Sequence, residues 1–518
     1  MPDQPAQDLP QQDSPKDHAT PANAALTLLI PEGVRYNCQG CGRCCSGWSV
    51  GMTQEDYDRI KHVDWQSLHP KLAGKELFIH REKEFEAGVA GHPHYTKPRE
   101  DGTCPFLIDK LCFIHGHLGE DQKPLTCRIF PYSFVETPSG VYTGVVYNSM
   151  AAAQNAGNLL SDQRESLMDY LSLTRDYARA IHRMPGTPPA PGVTNNPEAA
   201  SAAGVSAPTA ADSTTANPSV AAPDATPAMP SAPRTVKIDQ SPNSTVELTM
   251  GLSITWDEFL HVEDKLMDTV LNRKDLDIFQ LLPAGSEIFN MAIKLKRAGE
   301  PMSKLKDFDP VVPRSGDVTP GGVEEMTLRA MFYRFYIYPS IRVDEKDLWQ
   351  MQKTNVSKNM FTVVRSFAKY SSSAIDTIVL KHGKVPIVGR MDLDKSLKRK
   401  FKPFNSDINE FFRRWIYLKL FAKTYFGAPA AGFCVVSGYN CLMSAFISAV
   451  LFAKCNAIHR KQDEIVIEDL HEAYWRLDRE LLTMSQVSIN ESKAYNFAFA
   501  VPRLFHKMLY SLEDSLKA

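Results

Sequence analysis

Four cysteines, Cys38, Cys41, Cys44 and Cys45, fall within eight residues of a chain of 518 that has only ten in all. No other feature constrains the fold as strongly. In the spacing C-x2-C-x2-C-C, a short turning backbone can aim several sulfurs at one point, and Gly40 and Gly42 permit the conformations such a turn requires. Thiolates at close quarters repel one another, so a cation is needed to hold them together in the deprotonated state. Three further cysteines, Cys104, Cys112 and Cys127, complete a set of seven before residue 130. C-x2-C spacing with remote partners is a metal-binding pattern, and all seven are read as metal ligands. Either of two groups satisfies the pattern. Zinc takes four Cys or His ligands; an iron–sulfur cluster also takes four thiolates, and Cys104-Pro105 would serve as the remote Cys-Pro of ferredoxin-type spacing. Seven sulfurs exceed one four-ligand site, so a second site exists or some thiols stay free and reactive. His115 and His117, beside Cys112, read as surface-loop histidines, and Arg128, next to Cys127, as a cation offsetting thiolate charge. Trp48, beside the quartet, reads equally as a shield for the metal or as ordinary core. Cys434, Cys441 and Cys455 lie in or near an apolar helix and read as small buried side chains.

The surrounding chain sets the context. Its charge is balanced, 58 basic against 60 acidic residues, so nothing in it calls for a polyanionic or membrane partner. The polar, Pro/Gln-rich start "MPDQPAQDLPQQDSPKDHATPANA" lacks the basic residues and apolar run of a secretory signal. A cytoplasmic location is expected, where thiols stay reduced. Thr424–Ala453 carries no charge and is long enough to span a bilayer. Its first half holds Gly, Pro, Ser and Asn, however, and a loop leading into a buried helix from Leu442 is the expectation. "KSLKRKFK", 395–402, reads as a solvated loop and not as a nucleic-acid patch, and the aromatic "MFYRFYIYP" as core.

The expected fold class is mainly α, with a small α+β cysteine-rich metal-binding domain, a helical C-terminal region and a long disordered insert. The expected boundaries are a disordered 1–25, the cysteine domain at 26–182, an Ala/Pro/Ser/Thr-rich linker or insert at 183–233, and a hairpin plus helical region at 234–518. Within the first domain Thr53 and Asp56 form a helix-start pair, "CRIFPYSFVE" and "VYTGVVYN" flank the turn "TPSG", and 159–182 has helical spacing. Beyond the insert, "TVKIDQ" and "STVELTM" read as a second hairpin across "SPN". Five segments then show apolar faces near a 3.6-residue period, beginning with "WDEFLHVEDKLMDTVL" and ending with "IEDLHEAYWRLDRELLTM".

"CQGCGRCCSGW", "MTQEDYDRI", "CPFL" and "KPLTCRIFPYSF" together resemble the YkgJ-like cysteine-cluster proteins, a zinc- or iron-chelating group that includes flagellin lysine-N-methylase. The resemblance covers about 35–148, with a weaker match in "FGAPAAGF…SGYNCLMSAFISAVLFAK" and "IEDLHEAYWRLD". It implies metal or cluster binding. Where long relatives are expected to carry a further cysteine, this chain reads Asn148-Ser149-Met150. A methylase of this kind would act on a protein substrate with S-adenosylmethionine, yet the chain has no G-x-G-x-x-G fingerprint after a predicted strand. Two readings stand: a metal-binding module, or a protein-lysine N-methylase with the cluster near its active site.

Overall fold

A computed structural model describes residues 27–46, 49–86, 90–182, 236–238, 244–310, 319–341, 368–483 and 489–517. Trp48, the first 25 residues, the 183–233 stretch and Ser241-Pro242-Asn243 lie outside the described residues. The fold is mainly helical, with three small sheets in the N-terminal part and two two-stranded hairpins, at 245–255 and 382–392, among the later described residues.

Two apolar cores organise it. The smaller is built from Met52, Ile60, Trp65, Leu72, Leu77, Phe106, Ile108 and Ile114. The chain opens with β1 (Leu28–Leu29), which belongs to the larger core; around the smaller one lie β2 (Gly51–Met52), α1 (Gln54–Ile60), β3 (Phe78–His80) and β4 (His94–Thr96), the three strands forming an antiparallel sheet ordered β2-β4-β3. Helix α1 starts as expected. Thr53 accepts a hydrogen bond from the Asp56 amide, and the Asp56 carboxylate accepts one from the Thr53 amide. The same carboxylate, 2 % exposed, also accepts from the Leu125 amide at 3.1 Å, so one side chain caps α1 and ties it to the segment carrying Cys127.

A tight hairpin, β5 (Leu107–Ile108) and β6 (Leu111–Cys112), is followed by α2 (Phe113–Leu118) and α3 (Leu125–Ile129). "CRIF" is therefore a helical turn and not the start of a strand. Pro124 caps that turn with φ −51°, and β7 (Tyr132–Thr137) begins only past Pro131. With β8 (Gly140–Val145) it forms the expected hairpin, and α4 (Arg164–His182) completes this part, preceded by the 3-10 turn Leu160–Gln163.

The second expected hairpin is built from different partners. β9 (Val236–Lys237) runs parallel to β7, pairing Val236 with Val135, in a sheet ordered β1-β8-β7-β9. β10 (Thr245–Thr249) instead pairs with β11 (Leu252–Thr255) across Met250-Gly251, where Gly251 supplies the left-handed φ of +74° that the turn needs.

The larger core joins β7 and β8 to the C-terminal helices, chiefly α5 (Trp256–Asn272), α6 (Ile278–Ala298), α7 (Ser406–Phe421), α8 (Val435–His459), α9 (Ile467–Thr483) and α10 (Ile489–Phe499). Helix α8 is long and apolar enough to cross a membrane, with mean hydropathy 1.8 in its most apolar window, but 94 % of that window is buried within this chain. It starts at Val435, ahead of the expected Leu442. Gly438 belongs to its packing, since a Cβ there would collide with the Tyr425 carbonyl. The "MFYRFYIYP" stretch is core, as expected: Phe332, Phe335, Tyr336 and Ile337 are buried, and Tyr336 stacks on Phe452 at 4.5 Å. "KSLKRKFK" departs from the expected loop. Leu393–Lys398 is helical, because Ser396, Leu397 and Phe401 point inward while the basic side chains face water. The fully buried Asp478 on α9 accepts from the Tyr147 amide (2.7 Å) and Trp415 Nε1 (3.1 Å), and pairs with Lys419 (3.1 Å). It joins the end of β8 to α7 and α9.

Candidate metal centre

The quartet loop is held from both sides. Tyr36 and Asn37 donate their amides to Asn158 and Ala156, and Asn37 Oδ1 accepts from the Asn158 amide at 2.7 Å. After the loop, Ser46 bridges Thr103, and Cys104 donates its amide to the Cys45 carbonyl at 2.9 Å. Gly40 and Gly42 have φ of +63° and +70°, and both lie on the β5–β6 hairpin. A Cβ on Gly40 would come within 2.8 Å of Leu111 Cδ2, and one on Gly42 within 3.2 Å of Leu107. Glycine is thus required twice over, by backbone conformation and by close approach.

This folding brings all seven sulfurs within electrostatic reach of one another's neighbours, with Cys45 the shared member. Cys44 donates a hydrogen bond to Cys45 and faces Cys38 and Cys41. Cys127 faces Cys104, Cys112 and Cys45. Cys45 thus adjoins both Cys38, Cys41 and Cys44 on one side and Cys104, Cys112 and Cys127 on the other. Cys38 and Cys41 are exposed, whereas the other five are partly buried.

Electrostatics follow from burial and crowding. The bond to Cys45, then burial and the nearby thiols, raise the Cys44 pKa well above the ordinary value, while accepting that bond lowers that of Cys45. Burial first, then Cys45, pushes Cys104 up to about 12. Burial likewise raises Cys112 and raises Cys127 strongly. Opposing contacts favour thiolate. The Thr96 hydroxyl and the Phe106 amide donate toward Cys104, and the His115 and Ile114 amides at the start of α2 toward Cys112. Lys123 faces Cys45, Cys112 and Cys127. Buried sulfurs ringed by N–H and O–H donors and one ammonium suit a thiophilic metal: a bound cation would supply the charge that the crowded thiols lack. The donor set fits the group.

Two cations face the thiols: Lys123, and within the loop Arg43, which interacts with Cys41. Arg128 donates instead to Asp121 at 3.3 Å. His115 and His117 are exposed as expected, though on a helix, with His117 stacked on Phe113 at 4.5 Å. Cys434, Cys441 and Cys455 are buried in the helical core. At the position of the expected extra cysteine, buried Ser149 contacts the hydroxyl of Tyr36, which itself faces Cys38 and Cys44. Lys123 and Thr96 were not singled out in the sequence. The only hint was "KPLTC", where Lys123 precedes Cys127 by four residues.

The cysteine loop also meets the helical body. Arg43 pairs with Glu472 on α9 and lies over the Trp475 ring at 4.9 Å.

A sulfur-rich lobe of this construction defines a metal-chelating class. Residues 37–154 match the family model CxxCxxCC, described as "Putative zinc- or iron-chelating domain". An uncharacterized protein of Methanocaldococcus jannaschii is 33 % identical over 104 residues, covering 20 % of this chain and 31 % of the relative. The chain thus spans about a third of that relative's length. No solved structure matches.

Proposed function

We propose that the seven N-terminal cysteines hold metal in two adjoining sites. Cys45, Cys104, Cys112 and Cys127 form an enclosed four-thiolate site. Cys38, Cys41 and Cys44 form a more exposed three-thiolate site with a coordination position left open. The gathering of the seven thiols on both sides of Cys45 supports this reading. Four thiolates satisfy zinc or an iron–sulfur cluster alike; the C-x2-C-x2-C run with Cys104-Pro105 has ferredoxin-type spacing, and the cluster is the form proposed.

Protein prepared without oxygen tests this. Brown colour, iron and acid-labile sulfide are expected. Cys112→Ser should remove the four-thiolate share of the metal, and Cys41→Ser the other share. Colourless, zinc-loaded protein would replace the cluster with zinc while keeping the sites, and fully folded protein free of both metals would end the reading. Turnover of S-adenosylmethionine with a lysine-bearing protein would move the function toward methyl transfer.

A further inference from the structure

Apart from the cysteines, one group of metal-competent side chains converges. His80 on β3 and His94 on β4 are direct cross-strand partners, so both imidazoles stand on one face of the sheet. Their Nδ1 atoms are 3.0 Å apart, and Glu82 Oε1 lies 3.5 Å from His94 Nδ1 and 3.8 Å from His80 Nδ1. Among the described residues this is the one trio of His, Cys, Asp or Glu donors drawn within 4.8 Å. A tetrahedral cation at about 2.0–2.1 Å from three donors sets them roughly 3.3 Å apart. The observed edges bracket that value.

The neighbours orient one ring for ligation. The Gln54 amide donates through Nε2 to Asp58 Oδ1 at 3.1 Å, which turns its Oε1 toward His94 Nε2 at 2.8 Å. His94 therefore carries its proton on Nε2, and its Nδ1 presents a bare lone pair to His80 and Glu82. Two lone pairs or a lone pair and a proton, together with a carboxylate, meet at one point. Tyr57 backs the site, its ring centroid 4.3 Å from that of His94 and 5.0 Å from that of His80. Access is open on the other side, since the His80 and Glu82 side chains are 44 % and 49 % exposed whereas that of His94 is 1 % exposed.

We propose that His80, Glu82 and His94 form a second kind of metal site, for a divalent transition cation of the zinc type, with nitrogen and oxygen ligands and an open position for water. Nitrogen donors separate it in chemistry from the thiolate sites, so neither depends on the other. The test adds Co2+ to full-length protein isolated with its cysteine-bound metal in place. One further equivalent should bind, with visible d–d bands and no sulfur-to-cobalt charge-transfer absorption. His80→Ala and Glu82→Gln alter exposed side chains, so the fold is kept, and each should lower cobalt affinity at least tenfold while leaving cysteine-bound metal unchanged. Equal cobalt binding by wild type and both variants, or charge-transfer bands from sulfur, would overturn the proposal and leave the two rings as a simple hydrogen-bonded pair.

Discussion

The cysteine lobe and the helical body solve the problem of stability in opposite ways. The lobe's own core has eight buried apolar side chains, its strands β2 to β6 are two or three residues long, and its chain is rich in irregular turns. The body packs Trp415, Tyr474, Phe332, Phe335 and Phe411 essentially out of water around the almost wholly buried α8. Small cores of the first kind fall short of their conformational entropy and are usually stapled by metals or disulfides. The comparison teaches that the cysteines serve the lobe's architecture as well as any chemistry there, whereas the body stands on packing.

Four experiments break or sharpen that contrast. Stripping metal under reducing conditions should have the largest effect, on the order of 10 kcal/mol on the lobe as for small structural metal domains. Amide exchange should then accelerate across 36–52 and 94–129 while α5 to α9 stay protected; uniform protection throughout would remove the distinction. Phe446→Ala, at a side chain 0 % exposed, should cost about 3–5 kcal/mol in denaturant unfolding without changing metal content. Acid should weaken the body through His506. Burial, partly offset by Glu287 and reinforced by Arg503, lowers its pKa from 6.5 to about 4. The unfolded chain takes up this proton first, so the contribution is complete above pH 6.5 and is lost as pH falls toward 4. It amounts to about 3 kcal/mol, and His506→Leu should flatten the melting-temperature slope in that window. Arg43→Ala should cost least, at most about 1 kcal/mol, because its partly exposed pair with Glu472 joins the two regions without supporting either. Any larger loss would mean that the loop braces the body.

Legibility divided along the same line. The long helices were readable because their apolar faces repeat at the helical period. Helix α6 was not, since Pro283 lies within it and Gly285 resembles a loop residue. That glycine instead admits the Tyr439 hydroxyl, which donates to the Leu282 carbonyl at 2.9 Å. All seven candidate cysteines stood out by type and spacing, but the place of Cys45 beside both groups did not, because it depends on how the β5–β6 hairpin folds under Gly40 and Gly42. His80 and His94 were invisible for a related reason. Their meeting is a matter of register between three-residue strands, and nothing in "FIH" or "HYT" specifies it.

The contacts of Asp478 bear on the order in which the molecule is made. Tyr147 waits for a carboxylate 331 positions downstream, so the sheet built on β7 and β8 stays unfinished until translation is almost over. Every candidate cysteine, by contrast, has left the ribosome with the first third of the chain. On the proposed function, the sulfur-bearing lobe would be able to take up metal on a nascent chain, well before the remainder has anything to close around.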